Sequence, residues 1–330
     1  MPAKISVVIA AFNRADLIGE TLHSILGQTL APLEVLVVND GSTDSTGEVV
    51  RRFGDPVREI AIANSGQMVA LNRGLAQARG EFVAFCDSDD LWLPGHLAAA
   101  MRVWERAPDT TAVYTNFRIV RDGLWSEAVK FDEAPAGFWD GFEVIEPGHL
   151  ALCRAEAVRR LIDFQPFFVS AMVVRADAFR RIGGWDEGVN RWMGQDFATA
   201  LRVAEHPPLG VVLEPTVGIR KHAASFSADV QKMILGDAAI LEHVLRTRPS
   251  LTPHAEAIRQ SILARRADAL EIAFARQDFP AVSEIAALVG EAALPGRARL
   301  KARLARLPAP LRGAVVPLLL GLGTLRSRLR

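Results

Sequence analysis

The chain has 330 residues, half of them hydrophobic, with 38 Lys and Arg against 38 Asp and Glu. That is enough apolar chain for one large domain with an appendage, or for two domains. The charge balance hides an asymmetry, because nine basic residues and no acid follow Glu291, which leaves 29 basic against 38 acidic in the first 291 residues. An acidic body is not the profile of a nucleic-acid-binding domain, whereas the basic tail suits an anionic partner.

Two cysteines, Cys86 and Cys153, lack metal-ligand spacing and fit a reducing compartment. The first residues lead straight into a strand with no signal-peptide pattern, so a cytoplasmic location is expected. No stretch reaches the ~18–20 apolar residues of a membrane span, and the longest candidate is 313–325.

Ile5-Ser6-Val7-Val8-Ile9-Ala10 reads as a strand rich in β-branched residues, and 16–28 follows with apolar positions at helical spacing. Residues 33–38 form a second strand ending at Asn39-Asp40-Gly41, and Ser42 to Thr46 supply N-cap chemistry for a helix reaching about Phe53. A weaker strand at 57–61 and a helix at 68–79 lead to a strand over 81–86. Strands alternating with helices imply a parallel sheet with right-handed crossovers. No G-x-G-x-x-G follows the first strand, and no G-x-x-x-x-G-K-[ST] occurs anywhere. A dinucleotide-binding turn and a P-loop are thereby excluded.

The strand over 82–86 ends abruptly in Asp87-Ser88-Asp89-Asp90, three carboxylates within four residues. Clustered carboxylates repel one another, and a hard divalent cation offsets that repulsion. The alternative is an acidic turn in which Asp89 or Asp90 caps the helix that starts near Pro94. Farther on, 112–115 and 117–120 alternate like strands, 131–148 is loop-like and aromatic, 167–175 reads as one buried strand, 177–182 is helical, and Gln195-Asp196 opens a helix to about His206.

Taken together, these motifs resemble the family 2 glycosyltransferases. The matching stretches run from Ser6-Val7-Val8-Ile9-Ala10-Ala11-Phe12-Asn13-Arg14 through Val38-Asn39-Asp40-Gly41-Ser42, Asn64-Ser65-Gly66, Leu71-Asn72-Arg73-Gly74 and Asp87-Ser88-Asp89-Asp90. They continue through Gly183-Gly184-Trp185-Asp186-Glu187, Gln195-Asp196 and Arg220-Lys221-His222. The resemblance covers about 4–227 and implies a GT-A fold, an α/β nucleotide-sugar-binding sandwich with a mostly parallel central sheet. The expected division is a GT-A domain over 1–227 and a helical extension over 228–330.

It further implies inverting transfer of a sugar from a nucleoside-diphosphate sugar, expected to be uridine-linked, to a hydroxyl of a glycan or lipid-linked acceptor, as in cell-surface polysaccharide synthesis. By the resemblance, Asp40 accepts from the nucleotide base, flanked by Ala10 and Phe12. Arg73 reaches a phosphate, Asp87 and Ser88 face the ribose, and Asp89 with His222 serves Mn²⁺ or Mg²⁺. Asp196 is then the general base, and Trp185, Asp186 and Trp192 are candidate acceptor contacts. A nucleotidyltransferase is the second enzymatic reading, although its Gly-rich phosphate loop is not apparent. A silent carbohydrate-binding or scaffold protein is the third, and the intact acids argue against it.

Beyond 228 the chain reads as Ala-rich helices over 230–247, 253–276 and 279–291. The Leu- and Arg-rich stretch 297–330 is either an interfacial segment for an anionic membrane, peripheral at its inner face, or a helix packed on the body.

Overall fold

The computed structural model describes residues 4–155, 157–222 and 229–312. The chain divides into two compact units, Met1–Ala228 and Asp229–Arg330. In the first, β1 (Ile5–Ala11), α1 (Ile18–Leu26), β2 (Glu34–Asp40), α2 (Thr46–Arg51), β3 (Val57–Ile62), α3 (Gln67–Gln77) and β4 (Phe82–Asp87) alternate as the sequence pattern predicts. Then come β5 (Leu91–Trp92), α4 (His96–Arg106), β6 (Ala112–Arg121), β7 (Leu124–Val129), β8 (Glu143–Glu146) and β9 (Leu150–Cys153). The unit ends with α5 (Val158–Asp163), β10 (Met172–Arg175), α6 (Ala176–Arg181), α7 (Asp196–Ala204) and β11 (Leu209–Arg220).

The strands form one sheet in the order β3-β2-β1-β4-β10-β6-β11-β9-β8, with β5 on β11 and β7 on β6. The first four are mutually parallel, and β2, β1 and β4 are buried on both faces and correspondingly apolar, while the edge strand β3 is half-exposed. Register sets Ala10 beside both Val38 and Asp87, and Asp40 beside Ile62. Ala10, Asp40 and Asp87 therefore share the carboxyl edge of three adjacent strands, the edge at which open α/β sheets bind ligands.

Helix α3 lies close on this sheet because Gly74 has no side chain: a Cβ there would fall 2.3 Å from Val8 Cγ1. At the opposite edge, Glu34 accepts from the Ser6 hydroxyl at 2.7 Å and from the Arg79 amide at 2.8 Å, which joins β1, β2 and the end of α3.

One expected element changes form. The strand read over 167–175 is a strand only from Met172, and Val169–Ala171 is a 3₁₀ turn. The reason is Ser170, whose hydroxyl accepts from the Asp87 amide at 2.9 Å and donates to Asp90 at 2.5 Å. The chain must turn there to bring that hydroxyl to the acid cluster.

The second unit is helical, with α8 (Val230–Thr247), α9 (Ala255–Ala275), α10 (Phe279–Val289) and α11 (Gly296–Ala305). Its core joins Leu270, Phe274, Val282 and Ile285 to Ala298, Ala302 and Ala305. Lys301 of α11 pairs with Glu271, and Arg303 and the C-cap residue Arg306 reach Glu291 at 2.6 and 2.7 Å. Over 297–306 the stretch is thus a packed helix, while 313–330, with its apolar run, lies outside the described residues. Among the described residues no helix is long and apolar enough to cross a membrane.

Candidate active site

The carboxyl edge of the parallel strands is closed by loops that bind one another. The β1–α1 and β2–α2 loops interlock: Asn13 accepts from the Thr43 amide at 2.8 Å, and Asp44 accepts from the Ala15 and Thr46 amides at 3.1 and 3.0 Å. Asp40 is 4% exposed, and its two carboxylate oxygens accept from the Ser65 and Gly66 amides at 2.6 and 2.8 Å. The Asp40 side chain thus anchors the turn into α3 as well as standing beside Ala10. Phe12, just past the end of β1, keeps 43% of its surface exposed.

The same turn is held from the other side by 190–195. Asn190 donates to the Ser65 carbonyl at 2.6 Å and accepts from the Met68 amide at 3.2 Å. A Cβ on Gly66 would lie 2.4 Å from the Asn190 side chain, so only glycine, here at φ +92°, fits beneath it. Arg191 donates to the Asn64 carbonyl at 3.0 Å.

The acid cluster sits between these loops. Asp87 accepts from Gln67 Nε2 at 2.6 Å. Ser88 is buried, and its carbonyl accepts from the Thr21 hydroxyl at 3.2 Å. Asp89 Oδ2 lies 3.1 Å from His222 Nε2 and 3.5 Å from Arg14 Nε, and the Asp89 carbonyl accepts from Arg220. Asp90 is buried, accepting from Ser170 and, at 2.8 Å, from the Arg220 amide. Neither Asp89 nor Asp90 caps α4, whose N-cap is Gly95, so the acidic-turn alternative fails.

Burial pushes the Asp87 carboxyl well above the usual carboxylate range, and the charges of Asp90, Asp89 and Asp196 add to the shift while Arg14 opposes it. Burial, then the charge of Asp89, pushes Asp90 up to about 7 against the Ser170 hydroxyl, the Arg220 amide and the Lys221 charge. Burial and mutual repulsion thus outweigh what the hydrogen-bond partners of Asp87 and Asp90 offer their ionised forms. Among the described residues no three His, Cys, Asp or Glu side chains form a complete ligand set. Asp89 and His222 do converge, which fits an ion that takes its remaining ligands from a phosphate-bearing substrate.

Asp196 opens α7, and its charge bears on Asp87 and also on Tyr114. Tyr114 lies in β6, 1% exposed and stacked on Phe167 at 4.2 Å. Its hydroxyl has no hydrogen-bond partner among the described residues, and burial, with Asp196 second, pushes its pKa up.

Two expected contacts are corrected by packing. Trp185 is 2% exposed and meets Phe85 and Phe179 edge-on at 5.0 and 5.9 Å, so its indole is core and offers no face to a sugar. Asp186 is also internal: it accepts from the Gly188 amide at 3.1 Å and pairs with Arg202 at 3.0 Å. Arg73 is exposed on α3 and has no ionic or hydrogen-bond partner among the described residues. Arg14 pairs with Asp89, Gln67 and Ser170 bond the other acids of the cluster, and Tyr114 feels the charge of Asp196. Sequence reasoning left these four without roles. Arg14 does stand inside the quoted first-strand motif, which was the available signal. Trp192 remains 37% exposed.

Residues 6–162 match the family model described as Glycosyl transferase family 2. Over that stretch the chain is similar to the family 2 glycosyltransferases. An uncharacterised glycosyltransferase of Nostoc sp. is 37% identical over 121 residues, 36% of this chain and 37% of that protein. The Escherichia coli UDP-Glc:alpha-D-GlcNAc-diphosphoundecaprenol beta-1,3-glucosyltransferase WfaP is 34% identical over 121 residues, 36% of this chain and 47% of its own. The chain thus spans less than half the length of these curated relatives.

Among solved structures, the Pyrobaculum calidifontis mannosyltransferase PcManGT, in complex with GDP-Man and Mn²⁺, aligns with TM-score 0.53 at 23% identity. That alignment covers 92% of this chain and 84% of that one. The first unit accordingly has a GT-A-like fold, a central sheet flanked by helices.

Proposed function

We propose that the glycosyltransferase domain transfers a sugar from a nucleoside-diphosphate sugar, with uridine diphosphate as the leaving group, to a hydroxyl of a glycan or lipid-linked acceptor, with inversion. The observation that carries this reading is the convergence of Asp87 and Asp89 at one strand edge with Asp196 near enough for its charge to act on Asp87. The nucleotide would lie along that edge, its base against Phe12, Ala10 and the Asp40 turn, its ribose at Asp87 and Ser88. WfaP is named for UDP-Glc and PcManGT is bound to GDP-Man, both nucleoside-diphosphate sugars, which supports the donor class.

Asp89 and His222 would hold Mn²⁺ or Mg²⁺, with the Arg14 guanidinium 3.5 Å from the same carboxylate. A bound divalent ion supplies Lewis-acid stabilisation of charge on the departing diphosphate. Asp196 takes the proton from the acceptor hydroxyl. The oxygen attacks the anomeric carbon, and the bond to the diphosphate oxygen breaks on the opposite face. The proton stays on the Asp196 carboxyl and the electron pair leaves with the nucleoside diphosphate, so one displacement inverts the anomeric centre. A carboxylate at the first turn of α7 also sits favourably toward the helix dipole.

Released nucleoside diphosphate, measured over a panel of UDP-, GDP- and dTDP-sugars with Mn²⁺ and with EDTA, tests the reading. Release from at least one donor, stopped by EDTA, is expected. Release that EDTA leaves intact removes the metal, and no release from any donor removes the transferase reading.

A further inference from the structure

Three side chains form a hydrogen-bonded chain whose direction is fixed by its first member. The Arg191 amide can only donate, and it donates to Gln195 Oε1 at 2.7 Å. Gln195 Nε2 must then be the end that faces Gln67, donating to its Oε1 at 2.7 Å. Gln67 Nε2 is left to donate to Asp87 Oδ1 at 2.6 Å. Neither amide can be turned over without setting donor against donor or acceptor against acceptor.

Two further features mark the chain as built. Gln195 is the N-cap residue of α7, yet its side chain does not cap the helix and serves this chain instead. Arg191, which starts it, is held at φ +69°, a left-handed conformation that a long side chain adopts only where the surroundings compel it.

We propose that Gln67 and Gln195 are positioning residues. Through them a one-way relay from the Arg191 amide turns the Asp87 carboxylate toward the nucleotide and ties it to the residue beside Asp196. Donor seating and placement of the base then share one hydrogen-bonded path between α3 and α7. The inference rests on the donor-site reading of Asp87 given above. It also accounts for an amide, not a carboxylate, at position 195. Glutamate there could only accept, so Gln67 would have to turn its Nε2 toward it and point its Oε1 at Asp87.

The test is calorimetric binding of UDP and of GDP, each with Mn²⁺, to the full chain. Gln195→Glu is expected to raise the dissociation constant roughly ten- to hundredfold, the worth of one hydrogen bond to a charged group. Gln67→Lys added to Gln195→Glu supplies an ammonium that donates to both carboxylates, and it should restore most of the affinity. A purely structural pair would not be rescued this way. Gln67→Met removes the donor to Asp87 without adding charge, and it carries the test if Gln195→Glu does not fold. Unchanged affinity in these variants, or a loss that Gln67→Lys does not rescue, overturns the relay alone. No binding by the unsubstituted protein removes the donor site itself, and the relay with it.

Discussion

His96 makes the stability of the first unit depend on pH in a way that one variant isolates. The residue opens α4 and is fully buried, its Nδ1 within 2.9 Å of the Thr216 hydroxyl and its ring 4.3 Å from Trp92. Its Nε2 has no partner among the described residues, and burial pushes its pKa down from 6.5 to about 3. Between those values the unfolded chain binds a proton that the folded one refuses. Stability is therefore fully present above the unfolded value and is lost as pH falls toward the folded one.

From about pH 7.5 to about pH 5 the loss from this residue alone is ~2 kcal/mol. The figure is insensitive to the folded value, because at about pH 5 the buried ring is still neutral. Urea unfolding followed by tryptophan fluorescence reads the right unit, since all six tryptophans lie in the first one. His96→Asn keeps a polar atom toward Thr216 and removes the titration. Wild type should lose ~2 kcal/mol more than His96→Asn over that interval. Equal losses in the two proteins would refute the buried neutral imidazole.

Other expectations follow from the same geometry. Asp196→Asn should lower kcat by about 10²–10⁴-fold, the usual worth of a positioned base, while nucleoside diphosphate affinity measured by calorimetry stays the same. Tyr114→Phe removes a buried hydroxyl that lacks a partner, so the urea midpoint should rise, by about 1 kcal/mol in stability; a fall would mean the hydroxyl is bonded. Gly74→Ala sets a methyl 2.3 Å from Val8 Cγ1, and the thermal midpoint should drop by the equivalent of about 1–3 kcal/mol. Asp40→Asn turns an amide group toward the Ser65 and Gly66 amides, and both stability and nucleotide affinity should fall.

The sequence made β1, β2, β4 and the helices of the second unit legible because each follows from local periodicity and clear breakers. The acid cluster was legible too, since it interrupts an apolar run. What local pattern could not supply was partnership across the chain. Arg14 and Gln67 gain meaning only when Asp89 and Asp87 stand opposite them, 75 and 20 residues away. Trp185 was expected at the acceptor only through the family resemblance, yet Phe85 and Phe179 close over it. The 167–175 run read as continuous strand because the pull of Ser170 toward Asp90 leaves no trace in hydropathy.

The position of β10 also bears on how the polypeptide matures during synthesis. Strand β4 has β1 on one side, but its other side waits for 172–175, and β6 waits for β11 at 209–220. A nascent chain ending at 162, where the family match stops, would present β4 as a bare hydrophobic edge able to pair with another copy. It would also lack Asp196 and His222. The recognisable motif segment is thus not an autonomous folding unit. Ribosomal pausing or proteolysis between 162 and 220 should yield aggregates, not a smaller soluble protein.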